Sequence, residues 1–273
     1  MEKKKIAILG AGNLGLSIAR GIVQSADYEV GNIILTKRNI SSLIEEENEG
    51  YIVTDDNLKA VSDAQIIFLC VQPKQLTYLI DEIRSGIQRD HVIVSVITGV
   101  SIEELKGMIS SKVPIIRAMP NTAIEIGESM TCLSADDGSK EHVEMVSSLF
   151  DTIGKTLLIE ESLMQAATVL GASGIAFFMR YLRAATQGGV QMGFDSADAQ
   201  LIAMQTAKGA ASLVLEKGTH PEVEIDKVTT PQGCTIEGLN EMEHKGFSSS
   251  LIKGIMTSFL RITSMKKEKT QEL

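Results

Sequence analysis

Ile6-Ala7-Ile8-Leu9-Gly10-Ala11-Gly12-Asn13-Leu14-Gly15 joins an apolar run to a G-x-G-x-x-G turn. That is the pattern of a strand, a tight turn and a helix wrapped around a dinucleotide pyrophosphate. Gly10 permits the turn out of the strand, Gly12 the close approach of phosphate, and Gly15 the packing of helix on strand, and Asn13 and Leu14 between them are expected to bind cofactor with the glycines. Leu14, Ile18 and Ile22 recur at helical spacing, so the elements come in the required order. The positive end of that helix then faces the anion. In a chain with 23 glycines the glycine spacing alone carries little weight, and its position between strand and helix supplies the rest.

Working outward, short apolar runs alternate with helical patterns as far as residue 161. The runs are Ile6–Leu9 and residues 32–36, 51–54, 65–71, 91–97, 114–118, 129–133 and 156–159. Several lack polar alternation, as strands covered on both faces do. Pro73, Gly99 and Pro120 fall just after strands, at the edge that holds ligands in open α/β sheets. From residue 162 the chain becomes rich in Ala, Leu and Met, broken at Gly188-Gly189, Gly218 and Gly233. Residues 164–192 read as one long apolar helix, buried in a bundle or against another subunit. Residues 266–273 are polar and charged and read as a frayed tail.

The expected architecture is therefore α/β: a Rossmann-type, doubly wound, mostly parallel sheet over residues 1–161, then an all-helical dimerisation domain over residues 162–273. A length of 273 residues suits two moderate domains. The formal net charge of −9 argues against an extended nucleic-acid surface and for small-molecule partners. Cys70, Cys132 and Cys234 are widely spaced, which points to no disulfide framework and no metal site, and to the cytoplasm. Lys3-Lys4-Lys5 precede an apolar run too short for a signal or membrane segment, so no membrane partner is expected. His91, His142, His220 and His244 stand in polar surroundings and are expected at the surface.

The second strand leads into Thr36-Lys37-Arg38, where an NAD site places an acid on the ribose 2′-hydroxyl. Lys37 and Arg38 instead suit a 2′-phosphate, which favours NADPH and leaves NADH possible. Asn57 either contacts the adenosine half or caps the following helix.

Four segments together resemble the pyrroline-5-carboxylate reductase family: the glycine turn; Val71-Gln72-Pro73-Lys74; Arg117-Ala118-Met119-Pro120-Asn121-Thr122; and Val228-Thr229-Thr230-Pro231-Gln232-Gly233-Cys234-Thr235-Ile236-Glu237-Gly238-Leu239. The last is the specific one. The resemblance implies reduction of the imine 1-pyrroline-5-carboxylate to L-proline, with hydride passing from nicotinamide C4 to the imine carbon. It implies that Thr36, Lys37, Arg38 and Asn57 line the adenosine side of NADPH, and that Val71, Gln72, Pro73, Thr98 and Gly99 line its ribose and nicotinamide side. It also implies a substrate pocket across a dimer interface, formed by Glu161, Ser173, Thr230, Gly233, Cys234 and Thr235. The backbone N–H groups of Gly233 and Cys234 at a helix start suit the carboxylate of a small acid. Thr235 then faces the ring nitrogen, where a hydroxyl or water supplies the proton. Apart from this role, Thr235 reads as a helix N-cap.

The chain departs from the family at Gln72, Ile175 and Gln232, where Lys, Pro and Gly are usual. These changes open three other readings: a different substrate, lower turnover, or a dinucleotide-binding regulatory protein that has lost catalysis. A 3-hydroxyacid-dehydrogenase-like reductase would need a lysine where Arg180 stands.

Overall fold

A computed structural model describes residues 4–24, 28–109 and 112–271. Eight strands and their crossover helices follow in order as β1 (Ile6–Leu9), α1 (Asn13–Gln24), β2 (Ile33–Thr36), α2 (Ile44–Glu49), β3 (Ile52–Thr54), α3 (Asn57–Asp63), β4 (Ile66–Leu69) and α4 (Leu76–Ile83). They continue as β5 (Val92–Ser95), α5 (Ile102–Met108), β6 (Ile115–Met119), β7 (Ser129–Ala135), α6 (Val143–Asp151) and β8 (Gly154–Leu158). The sheet order is β3-β2-β1-β4-β5-β6-β7-β8. All neighbours pair parallel except β6 with β7. Each expected run overlaps a strand, with ends moved by at most two residues. Chain order reverses between β1 and β4, and this is the switch point at which such sheets bind ligands.

The two-residue period of a strand sorts β1 and β4 onto both faces of the sheet. Ile6, Ile8, Ile66 and Phe68 pack with Ile18 and Ile22 of α1 and Phe150 of α6. Ala7, Leu9, Ile67 and Leu69 pack with Leu79, Ile80 and Ile83 of α4 and Leu105 of α5. Each fully buried Ile, Leu or Phe contributes about 1.5–3 kcal/mol relative to exposure, so both faces hold the sheet between helices.

Beyond β8 the chain is helical: α7 (Met164–Ala167), a π segment (Thr168–Ser173), α8 (Gly174–Gln191), α9 (Ser196–Lys217), α10 (Pro221–Val228), α11 (Cys234–His244) and α12 (Phe247–Gln271). The contacts form two compact units, one reaching Ser173 and including the chain from Ile262 onward, the other Gly174–Arg261. This division lies beyond the expected 161/162 boundary, because Met164 is buried with Met119 and Cys132 of the sheet unit. In the second unit α8 and α9 lie close: a Cβ on Gly189 would stand 2.8 Å from the Cβ of Ala199. Phe178 stacks on Tyr181 at 5.8 Å, and Tyr181 meets Phe247 edge-on at 6.5 Å.

Three expectations are corrected. The long helix is interrupted by a π segment rather than running uniformly from residue 164. The tail is helical through Gln271, as its Lys, Glu and Gln content favours; residues 272 and 273 lie outside the described residues, as does Lys3. His91 is buried, with Nδ1 accepting the Gln88 N–H at 3.2 Å. Burial holds its pKa below the ordinary histidine value, against the opposing pull of Asp90.

Candidate active site

The glycine turn leaves β1 at the switch point. Gly10 has φ +100, and a Cβ there would approach the Cys70 carbonyl oxygen to 2.8 Å. At Gly15 a Cβ would lie 2.5 Å from the Gly10 carbonyl oxygen and 3.0 Å from Ile8 Cγ2, so α1 sits on β1 only without a side chain there. Gly12 differs: a Cβ would meet nothing within 4 Å. The protein's own packing therefore does not require Gly12, whereas a phosphate brought against the backbone does. The open space above Gly12 and the start of α1 fit a dinucleotide pyrophosphate.

At the neighbouring strand end, Thr36 is buried and joins several elements. Its Oγ1 accepts the Gly10 N–H at 3.3 Å and donates to Asn57 Oδ1 at 2.6 Å. Asn57 Nδ2 donates to both carboxylate oxygens of Glu82 on α4, at 3.1 Å each. Asp56 caps α3 by accepting the Lys59 N–H at 2.9 Å, so Asn57 is not the cap. Lys37 is half-buried and Arg38 exposed, and among the described residues neither has an ion-pair partner. They stand beside the turn with their charges available to an anion.

The opposite wall follows β4 and β5. Gln72 donates its backbone N–H to Gln75 Oε1 at 3.1 Å, and Pro73 begins a short helical turn. Val71 Cγ1 is 2.9 Å from the place of a Gly10 Cβ, so it borders the glycine turn directly. Burial pushes the Cys70 thiol beneath that turn up to about 12. Thr98 is exposed beyond β5, and Gly99 is left-handed with φ +79.

Glu161 is engaged within the sheet unit. Its Oε1 accepts from Arg117 Nη1 at 2.9 Å and from the Ile102 backbone N–H at 2.7 Å. The carboxylate thus ties β6 and the start of α5 to the entrance of α7. Ser173 ends the π segment and is half-buried.

The remaining residues lie in the second unit. Gly233, not Thr235, is the N-cap of α11, and Thr235 is its second helical residue. The Gly233 N–H is already donated to the Thr230 carbonyl at 2.9 Å, which corrects the expectation that it faces a ligand. A Cβ on Gly233 would stand 2.3 Å from Thr230 Oγ1, so glycine lets this turn close. Helix geometry leaves the first-turn N–H groups without intrahelical acceptors, and here those of Cys234 and Thr235 are among them. Gln232, at φ 59, is the non-glycine residue with positive φ among the described residues. Among those residues no cluster of three His, Cys, Asp or Glu side chains suits a metal ion.

Sequence reading assigned no role to Glu82, Arg117 or Asn121. Arg117 and Asn121 stand in a segment that carried the family resemblance, which was a signal for them. Glu82 is an exposed-looking acid in an amphipathic helix, and nothing in the sequence connects it with Asn57.

A family model described as pyrroline-5-carboxylate reductase dimerisation matches residues 161–265, and one described as NADP oxidoreductase coenzyme F420-dependent matches residues 5–99. Pyrroline-5-carboxylate reductase 1 of Dictyostelium discoideum is 49% identical over 97% of this chain, which spans 50% of that relative's length. Pyrroline-5-carboxylate reductase 2 of the same organism is 44% identical, covering 94% of this chain and 91% of its own. A pyrroline carboxylate reductase from Plasmodium falciparum, solved with NADP bound, shares the fold at TM-score 0.86 and 21% identity, over 97% of this chain and 99% of its own. With likeness extending across sheet and helices alike, the chain belongs to the pyrroline-5-carboxylate reductase family.

Proposed function

We propose that the protein reduces 1-pyrroline-5-carboxylate to L-proline with NADPH. The observation that carries this reading is identity of 44% along nearly the whole length of a reductase of that name. The open approach above Gly12 at the sheet's switch point agrees with it. NADPH supplies a hydride from nicotinamide C4 to the imine carbon.

The chain's own part is binding and orientation. The turn from Gly10 to Gly15 and the start of α1 hold the pyrophosphate through backbone N–H groups. Lys37 and Arg38 meet the 2′-phosphate, while Thr36 and Asn57 shape the adenosine side. Val71, Gln72, Pro73, Thr98 and Gly99 border the ribose and nicotinamide. At the start of α11, the Cys234 and Thr235 N–H groups hold the substrate carboxylate, and the Thr235 hydroxyl faces the ring nitrogen that gains a proton. Thr230 shapes that turn, and Glu161 and Ser173 are assigned to substrate binding by the family resemblance.

The working form in this reading is a cytoplasmic homodimer joined through the C-terminal helices. Support comes from the dimerisation model over residues 161–265 and from the exposed Phe178, Met179, Leu201 and Ile202. The helix Glu161–Gln191 is long and apolar enough to cross a membrane by length and composition. The dimerisation match over the same residues favours a second copy as its cover.

Steady-state kinetics test the site. Wild type is expected to oxidise NADPH only when the imine is present, and Thr235→Ala to lower kcat with little change in unfolding midpoint. NADPH binding without turnover would instead support a regulatory protein. Unchanged kcat in Thr235→Ala would remove that residue from the mechanism.

A further inference from the structure

The helix beginning at Met164 leaves α-helical geometry from Thr168 to Ser173. A helix widens in this way where a side chain intrudes on its ladder of hydrogen bonds, and such segments gather at functional sites. Here Asn121 Nδ2 lies 3.3 Å from the carbonyl oxygen of Gly171. The amide is aimed by its other bonds. Its Oδ1 accepts the Ala123 N–H at 3.0 Å, which leaves the amino group to face the helix. Its backbone N–H donates to Ser129 Oγ at 3.1 Å, and that buried hydroxyl lies 3.2 Å from Thr131 Oγ1. In a regular α-helix the Gly171 carbonyl would accept from residue 175, and Ile175 carries the N–H to do so. The glycine is not placed there for room, since a Cβ on Gly171 would meet nothing within 4 Å.

We propose that Asn121 is a positioning residue for substrate binding: it draws the Gly171 carbonyl out of α-helical register and maintains the π segment that sets Ser173. One residue of helical register corresponds to a rotation of roughly 100°, so closing the segment into an α-helix swings Ser173 round the axis. The proposal rests on the reading above that Ser173 belongs to the substrate pocket.

Asn121→Ala and the double variant Asn121→Ala with Ile175→Pro test it. Proline at 175 offers no N–H, and its ring presses on the carbonyl four residues earlier, so it keeps the Gly171 carbonyl displaced without Asn121. Asn121→Ala is expected to raise KM for the imine about tenfold, the worth of one hydrogen bond, with kcat and NADPH affinity little changed. Amide hydrogen exchange across residues 168–176 should slow as the ladder closes. Adding Ile175→Pro should return both KM and exchange towards wild type. The proposal is overturned if Asn121→Ala leaves exchange unchanged, or if KM for the imine rises while affinity for NADPH falls with it and proline restores neither. Exchange needs no turnover, so a wild-type protein that fails to reduce the imine would refute the proposed function while the exchange result still decides the role of Asn121.

Discussion

Glu161→Ala removes the carboxylate that joins Arg117 to the first turn of α5. Two bonds are lost, from Arg117 Nη1 at 2.9 Å and from the Ile102 N–H at 2.7 Å. Hydrogen bonds to charged groups are worth about 1.5–3 kcal/mol each, and orphaning a buried ion-pair partner costs about 3–5 kcal/mol. Arg117 has a side chain only 7% exposed, so its guanidinium has little water to turn to, whereas Glu161 at 33% already shares its charge with solvent. Discounting for that exposure leaves a loss of about 2–3 kcal/mol. For a chain of this size that is a fall in Tm of roughly 5–10 °C. The chain has no tryptophan, so urea unfolding is best followed by far-UV circular dichroism. Arg117→Met alone should cost less, about 1 kcal/mol, because it leaves the more exposed partner behind. The double variant should cost less than the two singles summed, since no charge is stranded. Additive losses, or a loss below about 0.5 kcal/mol for Glu161→Ala, would refute the clamp. A raised KM for the imine with unchanged stability would leave Glu161 its substrate role without the clamp.

Three further outcomes follow from the same geometry. Gly12→Ala should leave the unfolding midpoint unchanged, because nothing in the protein lies within 4 Å of the new Cβ, yet weaken NADPH binding in a fluorescence titration; Gly15→Ala, meeting the Gly10 carbonyl at 2.5 Å, should lower both. Arg38→Ala should raise KM for NADPH far more than for NADH, and equal effects would remove Arg38 from the 2′-phosphate. His91 is held neutral in the fold by burial, so the unfolded chain takes up its proton first as pH falls. Its contribution should therefore be constant above about pH 6.5, decline below it, and level off beneath the lowered folded value; His91→Gln should flatten that slope in urea unfolding measured at successive pH values.

The sheet and its glycine turn were legible because their signals are local. A strand, three glycines and a helix within Ile6 to Gln24 determine where the turn goes, and apolar runs without alternation mark strands covered on both faces. Other features depend on partners distant in sequence. Arg117 and Glu161 are separated by 44 residues, and Asn121 and Gly171 by 50. The first ties the entrance of α7 to the sheet unit, which moves the division of the chain past residue 161. The π segment leaves no mark in an apolar pattern that suits an unbroken helix. Thr235 has the residue type of a cap, but the Gly233 N–H closing on the Thr230 carbonyl starts the helix two residues earlier. His91 follows Arg89 and Asp90 in a polar turn, and its burial depends on how β5 enters the sheet.

Proline formed per NADPH consumed, measured with purified protein and 1-pyrroline-5-carboxylate, tests the central claim most directly. The account predicts one proline for each NADPH oxidised and no oxidation without the imine. Saturable NADPH binding that yields no proline would contradict it.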